Sequence, residues 1–214
     1  FLSGLGIDFS RDEKAPKSSD FAALLEDLDE RIAPFVNRVT LRSMTKASYE
    51  AVNKGHFGLA AAFYCHFTSP IRRYPDLAIH RIIKDFLKNG NKAFSKYENI
   101  VADIAAQSSE RERLSEKAER DVDDMKKAEF MRDKVGKKFK GIISGVTEWG
   151  FFVELDNSVE GLVRVEKLKG DNYVYNPRLM SLSNGASFYR IGDPVNVVLE
   201  SVNESRINFD LSEE

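Results

Sequence analysis

The stretch HFTSPIRRYPDLAIHR, residues 66–81, sets Arg72 and Arg73 between Pro70 and Pro75, directly after His66, Thr68 and Ser69. A guanidinium group is a planar fork of donors that matches carboxylate and phosphate oxygens. Prolines on either side fix backbone angles, so less freedom remains to be lost when an anion arrives. Spacing alone leaves two readings of Arg72 open: a donor to a bound anion, or half of an ion pair tying a helix to its neighbour. His56 and His80 read as makers of structural hydrogen bonds, because nothing in the sequence pairs them with a carboxylate. Cys65 reads as a small buried residue and not as a nucleophile.

The elements around these residues follow from periodicity. Ser19 or Asp20 suits the N-cap of a helix through FAALLEDLDERI, and Pro34 suits the first turn of a second helix carrying Phe35, Val39 and Met44. GHFGLAAAFYCHFTS, residues 55–69, fits a strand or a buried helix equally well. Beyond the two prolines, Leu77, Ile79, Ile82, Ile83, Phe86 and Leu87 predict a helix stopping at Asn89-Gly90, with the arginines at its mouth. One long amphipathic helix is predicted over about 97–134, with Leu114, Val122 and Met125 on its apolar side.

At Gly136 the period changes from helical to alternating. KFKGIIS, WGFFVEL, GLVRV, VNVVLESV and RINFDL predict five short strands, which suit a small closed barrel of the OB type. KGDNYVYNPRLMSLSNGASF becomes its long loop. The expected fold is therefore α+β in two domains, 1–134 mainly helical and 135–214 a five-stranded barrel.

Composition limits the partners. The 214 residues carry 32 basic and 34 acidic side chains, a net charge of −2, so any polyanion site is a local patch. One cysteine excludes an internal disulfide, and with three scattered histidines it excludes a zinc site of usual spacing. A reducing, cytoplasmic setting is expected. The chain has no apolar run of membrane-spanning length, and its opening FLSGLGIDF lacks both an initiator Met and a signal-peptide head, as if cut from something longer.

GHFGLAAAFYCHFTSPIRRYPDLAIHR, followed by SSERERLSEKAERDVDDMKKAEFM, resembles the carboxyl half of the catalytic domain of the ribonuclease R and ribonuclease II (RNB) exoribonucleases. GKKFKGIISGVTEWGFFVELDNSVEGLVRVEKL resembles the ribosomal-protein-type RNA-binding barrel that these enzymes carry at their C-terminal end. The resemblance implies processive, magnesium-dependent removal of nucleoside monophosphates from the 3′ end of single-stranded RNA. It implies that Arg72 contacts the phosphate under attack, with Arg73 structural or peripheral, His66, Thr68 and Ser69 along the phosphate path, and Glu119 near the RNA channel. In the barrel it implies base stacking on Trp149 and Phe152, with Phe139 on an adjacent strand, and polar contacts from Arg164, Asn203 and Arg206; the family often has a histidine where Arg164 stands. Phe151, by alternation, is expected to face inward.

The family's aspartate-rich metal motif lies upstream of FLSGLGIDF, and the surroundings of Asp8, Asp12 and Glu13 do not match it. No magnesium ligands are expected in this span, so it should not cleave RNA alone; the upstream part of the same enzyme is the expected partner. The alternative reading is a non-catalytic RNA-binding or ribosome-associated protein built on an inactive nuclease remnant.

Overall fold

The computed structural model describes residues 16–26, 28 and 33–212. They fall into two compact units: one gathers Leu28–Thr40 with the chain from Glu119 onward, the other the first helix with Leu41–Ala118. Asp8, Asp12 and Glu13, whose surroundings do not match the metal motif, lie outside the described residues.

In the helical unit, α1 spans Ser18–Glu26. Ser19 and Asp20 stand inside its first turn instead of capping it, and Asp20 reaches back to accept from Lys17 N at 2.8 Å, satisfying an amide that the helix leaves free. Residues 55–69 are neither strand nor long helix. They form one 3-10 turn, Phe57–Leu59, closed by a lone bridge between His56 and Ala61. α3 runs Tyr74–Asn89 with Pro75 in its first turn, where a missing amide hydrogen costs nothing, and Gly90 follows at φ 59° with its N–H on Phe86 O. α4 (Lys92–Tyr97) follows, then α5 (Val101–Met131).

α5 contributes to both units, whereas the sequence places the division at 134/135. Ala128 and Met131, in its last turns, are fully buried in the barrel's core cluster. Leu114, Val122 and Met125 are exposed, so the apolar stripe expected along the middle of the helix is not covered among the described residues.

The second unit is a closed barrel of order β1-β2-β3-β8-β7, with β1 Lys138–Thr147, β2 Gly150–Leu155, β3 Glu160–Arg164, β7 Pro194–Asn203 and β8 Arg206–Leu211. Neighbours are antiparallel except β3 and β8, which pair parallel through Leu162 with Asn208 and Val163 with Phe209. Alternation along these strands sends Ile143, Phe151, Val153, Val163, Val197, Leu199 and Phe209 into one core. The expected long loop carries a small sheet instead: β4 Val174–Asn176, β5 Ser181–Ser183 and β6 Phe188–Arg190. Three-residue strands are too short to show alternation in sequence. They are held by tertiary contact, with Leu182 fully buried in the core cluster and the Tyr189 ring 4.9 Å from that of Phe151. From the same unit α2 (Ala33–Ser43) packs Val39 against the cluster and pairs Arg38 with Glu154 at 2.8 Å.

Gly150 opens β2 at φ +141°, and a Cβ there would lie 2.1 Å from the carbonyl oxygen of Val163, a backbone atom that cannot swing aside. Gly150→Ala is expected to destabilise the barrel by about 2–4 kcal/mol, read as a fall in the urea midpoint of unfolding.

Candidate phosphate turn and nucleic-acid face

Pro70, Ile71 and Arg72 form a tight turn between an irregular segment and α3. Ser69 O accepts from Arg72 N at 3.3 Å and from Arg73 N at 3.0 Å, with Pro70 at the second turn position, where its fixed φ is preorganised. The turn's other anchor is Asp76. This carboxylate is 0% exposed, and its Oδ1 accepts from Ser69 N at 2.7 Å and from Arg73 Nη2 at 3.0 Å.

The two arginines are thereby separated. Arg72 is exposed and its side chain has no partner among the described residues, so the ion-pair reading of it is not what the structure shows. Arg73, which the sequence assigns a structural or peripheral phosphate contact, is turned inward, 22% exposed and committed to Asp76. Its Nε and the Asp76 Oδ2 are buried without a hydrogen-bond partner in the described structure. Burial pushes the Asp76 carboxyl up, but the Ser69 amide and the Arg73 guanidinium outweigh it and hold the group below its ordinary value.

His66 is half-buried, its Nδ1 2.9 Å from the Tyr49 hydroxyl. Tyr49 also meets Glu112 of α5, and burial together with that carboxylate raises its phenol well above the usual range. Thr68 is exposed at the mouth of the turn. Ser69 acts here through its backbone, not through its hydroxyl. The other histidines make the structural bonds expected of them: His56 Nδ1 accepts from Leu59 N at 3.2 Å, and His80 Nε2 lies 2.8 Å from Phe67 O. Cys65 is exposed, contrary to the expectation of burial, and Glu119 is exposed on α5.

On the barrel, Phe151, Val153 and Leu155 point inward and Phe152 outward, as alternation requires. The β2–β3 register puts Gly150 opposite Arg164 and Phe152 opposite Leu162. Trp149, just ahead of β2, is exposed at the Arg164 end of the β2–β3 pair, where Val165 N donates to Trp149 O at 3.0 Å. The parallel pairing of β3 with β8 carries Arg206 to the Glu160 end of the same face, where it faces Asn203 across the β7–β8 turn. Four residues of strand separate the two ends, about 13 Å. Phe139 is not part of this face. It belongs to the inward row of β1 with Gly141 and Ile143 and packs against the core. Alternation over 138–143 is unbroken, since the register shift in β1 comes only between Ile143 and Gly145, and it sets Phe139 on the side opposite Lys138 and Lys140.

Asp76, Tyr49 and Glu112 were not anticipated. Asp76 carried one signal, an acidic residue three positions after Arg73 at the start of a helix. The Tyr49–Glu112 contact joins residues far apart in the chain and carried none.

Residues 5–89 match the family described as RNB domain, and residues 132–213 the family described as S1 RNA binding domain. This combination defines the class: an RNB segment joined to an S1-type barrel. The chain is 43% identical to ribonuclease R of Escherichia coli (strain K12) over 228 residues, covering 98% of this chain and 28% of that protein. With ribonuclease R of Aquifex aeolicus it shares 41% over 220 residues, 99% of this chain and 31% of the relative. Mycoplasma genitalium RNase R in complex with ribose methylated single-stranded RNA superposes with a TM-score of 0.87 at 27% identity, covering 99% of this chain and 34% of that one. The chain belongs to the RNB ribonuclease family, among relatives named ribonuclease R. It spans about a third or less of their length.

Among the described residues no group of three or more His, Cys, Asp or Glu is arranged to hold a metal ion. No described helix is long and apolar enough to cross a membrane.

The lowered Asp76 carboxyl makes a signed prediction. Its contribution to stability is present above the ordinary value of 3.8 and is lost as pH falls through the lower folded value. Asp76→Asn should therefore reduce the urea midpoint at neutral pH, and the gap between the two proteins should close as pH drops below 3.8.

Proposed function

We propose that this span is part of a longer RNB-type exoribonuclease that degrades single-stranded RNA processively from its 3′ end to nucleoside monophosphates. The span supplies the phosphate-contacting arginine and an RNA-binding barrel. The observation that carries this reading is Arg72, an exposed guanidinium without a partner among the described residues, on a turn whose backbone is pinned on both sides. A phosphodiester under attack by water gathers negative charge on its non-bridging oxygens. A cation placed there in advance stabilises that charge without reorganising. The names of the relatives support the same assignment.

The barrel is the strand holder in this reading. Trp149 and Phe152 offer ring faces to successive bases, and Arg164, Arg206 and Asn203 meet the backbone at the two ends of the face. The aspartates and magnesium of the longer enzyme belong to its upstream part, and no described residue stands in for them. That upstream part is also the proposed cover for Phe57, Leu59, Phe63, Tyr64 and Phe67, in the segment leading into the turn, and for Ile71 within it, all of them exposed. The span itself is inactive in this reading, and a reducing cytoplasmic setting suits its single exposed cysteine.

Incubating the full-length parent with 3′-extended single-stranded RNA should release nucleoside monophosphates, and a chelator should stop the release. Binding without release would favour the RNA-binding protein with a nuclease remnant. Arg72→Lys in the parent should raise the barrier by about 2.7–4 kcal/mol, the effect of losing one preorganised donor, with RNA affinity nearly unchanged. Trp149→Ala and Phe152→Ala should each weaken single-strand binding by about 1–3 kcal/mol, measured by fluorescence anisotropy.

A further inference from the structure

Arg72 is aimed by its backbone alone, since its side chain touches nothing that would fix it among the described residues. What fixes the backbone therefore decides where the guanidinium points. Ser69 is the first residue of the turn, and both of its main-chain groups are engaged. Its carbonyl takes the amides of Arg72 and Arg73, and its amide is held by Asp76 Oδ1 at 2.7 Å. The same oxygen holds the Arg73 guanidinium at 3.0 Å. One carboxylate thus clamps residues before and after Arg72 to the first turn of α3, where the free amides of a helix N-terminus also favour negative charge.

Burial makes this clamp stiff and exacting. Asp76 is 0% exposed, and an uncompensated carboxylate there would be strongly unfavourable, so Arg73 is its counterion and not a second phosphate ligand. His66, in the segment leading into the turn, lies with its Nδ1 2.9 Å from the Tyr49 hydroxyl, and Tyr49 in turn meets Glu112. The pattern is a reactive-site cation kept free because its neighbour has been consumed in orienting it.

We propose that Asp76 is the positioning residue for Arg72: its buried carboxylate, through Ser69 N and Arg73, sets the turn that presents the phosphate-contacting guanidinium. This rests on the nuclease reading given above for its kinetic consequence, though the structural part stands apart from it.

The test is a double-mutant cycle in the full-length parent on 3′-extended single-stranded RNA. With Arg72 present, Asp76→Asn should lower kcat at least tenfold with KM within twofold of the parent. In an Arg72→Ala background the same substitution should change the residual rate less than twofold, because there is no longer a guanidinium to misplace. Equal fractional losses in both backgrounds would assign Asp76 to general support of the fold and overturn the proposal. Where Asp76→Asn does not fold, Asp76→Glu keeps the counterion of Arg73 while displacing the carboxylate from Ser69 N, and the cycle is read on that variant by the same criterion. Amide hydrogen exchange across residues 68–74 provides a second reading that needs no activity. Loss of the Asp76 clamp should speed exchange there at least tenfold with the last turns of α3 unchanged, and unaltered exchange would overturn the proposal. A parent that never cleaves RNA would remove the nuclease reading alone, and the exchange measurement would then decide whether Asp76 sets the turn.

Discussion

A carboxylate sealed from solvent and shared between a backbone amide and a guanidinium organises the helical unit. Asp76 can stay ionised there because two donors converge on its Oδ1, and it is those same donors, Ser69 N and Arg73, whose positions define the turn. The two prolines limit which backbone angles are available, but they do not choose among the remaining ones. The buried charge chooses. Its effect on the pair of adjacent arginines is a division of labour: one is neutralised and hidden, the other left unneutralised and accessible. Adjacent residues in an irregular segment need not point the same way, and here the geometry of α3's first turn makes them diverge.

The barrel solves a different problem with different means. Closing five strands needs the parallel β3–β8 contact, tight spots where only glycine fits, and register shifts in β1 and β7. Once closed, inward rows are committed to the core and outward rows are left for a ligand. Phe151 and Phe152, neighbours in sequence, end up in these two different roles for no reason other than pleat.

Much of this was legible in the chain. α3, with Pro75 at its start and Gly90 at its end, carries its boundaries in residue types, and the five barrel strands announce themselves by alternation between turn residues. What was hidden has a common cause: it depends on contacts between distant residues. Three-residue strands β4–β6 are held by Leu182 and Tyr189 packing on the barrel, and no window that short can show it. α5 looked like one amphipathic rod, but its mid-section is exposed among the described residues while its last turns are buried. Cys65 looked like interior because its neighbours are apolar, yet Phe63, Tyr64 and Phe67 are exposed with it. At the turn, the arginines and prolines were visible in sequence, but the partner that sorts them was not, since an acidic residue in a helix's first turn is ordinarily exposed and Asp76 is buried.

The outward row of the barrel has a consequence for how a strand would be held. Along β2, β3 and β8 its cations are Arg164 and Arg206, while Glu154 and Glu160 share the Arg206 end and Glu154 is occupied by Arg38. Two phosphate contacts displace few condensed counterions, and for single strands the logarithm of affinity then falls with the logarithm of salt concentration at a slope of only about −1.4. At that slope a tenfold rise in salt would weaken a bound single strand about 25-fold, so the ring faces, more than the two arginines, would have to supply the grip.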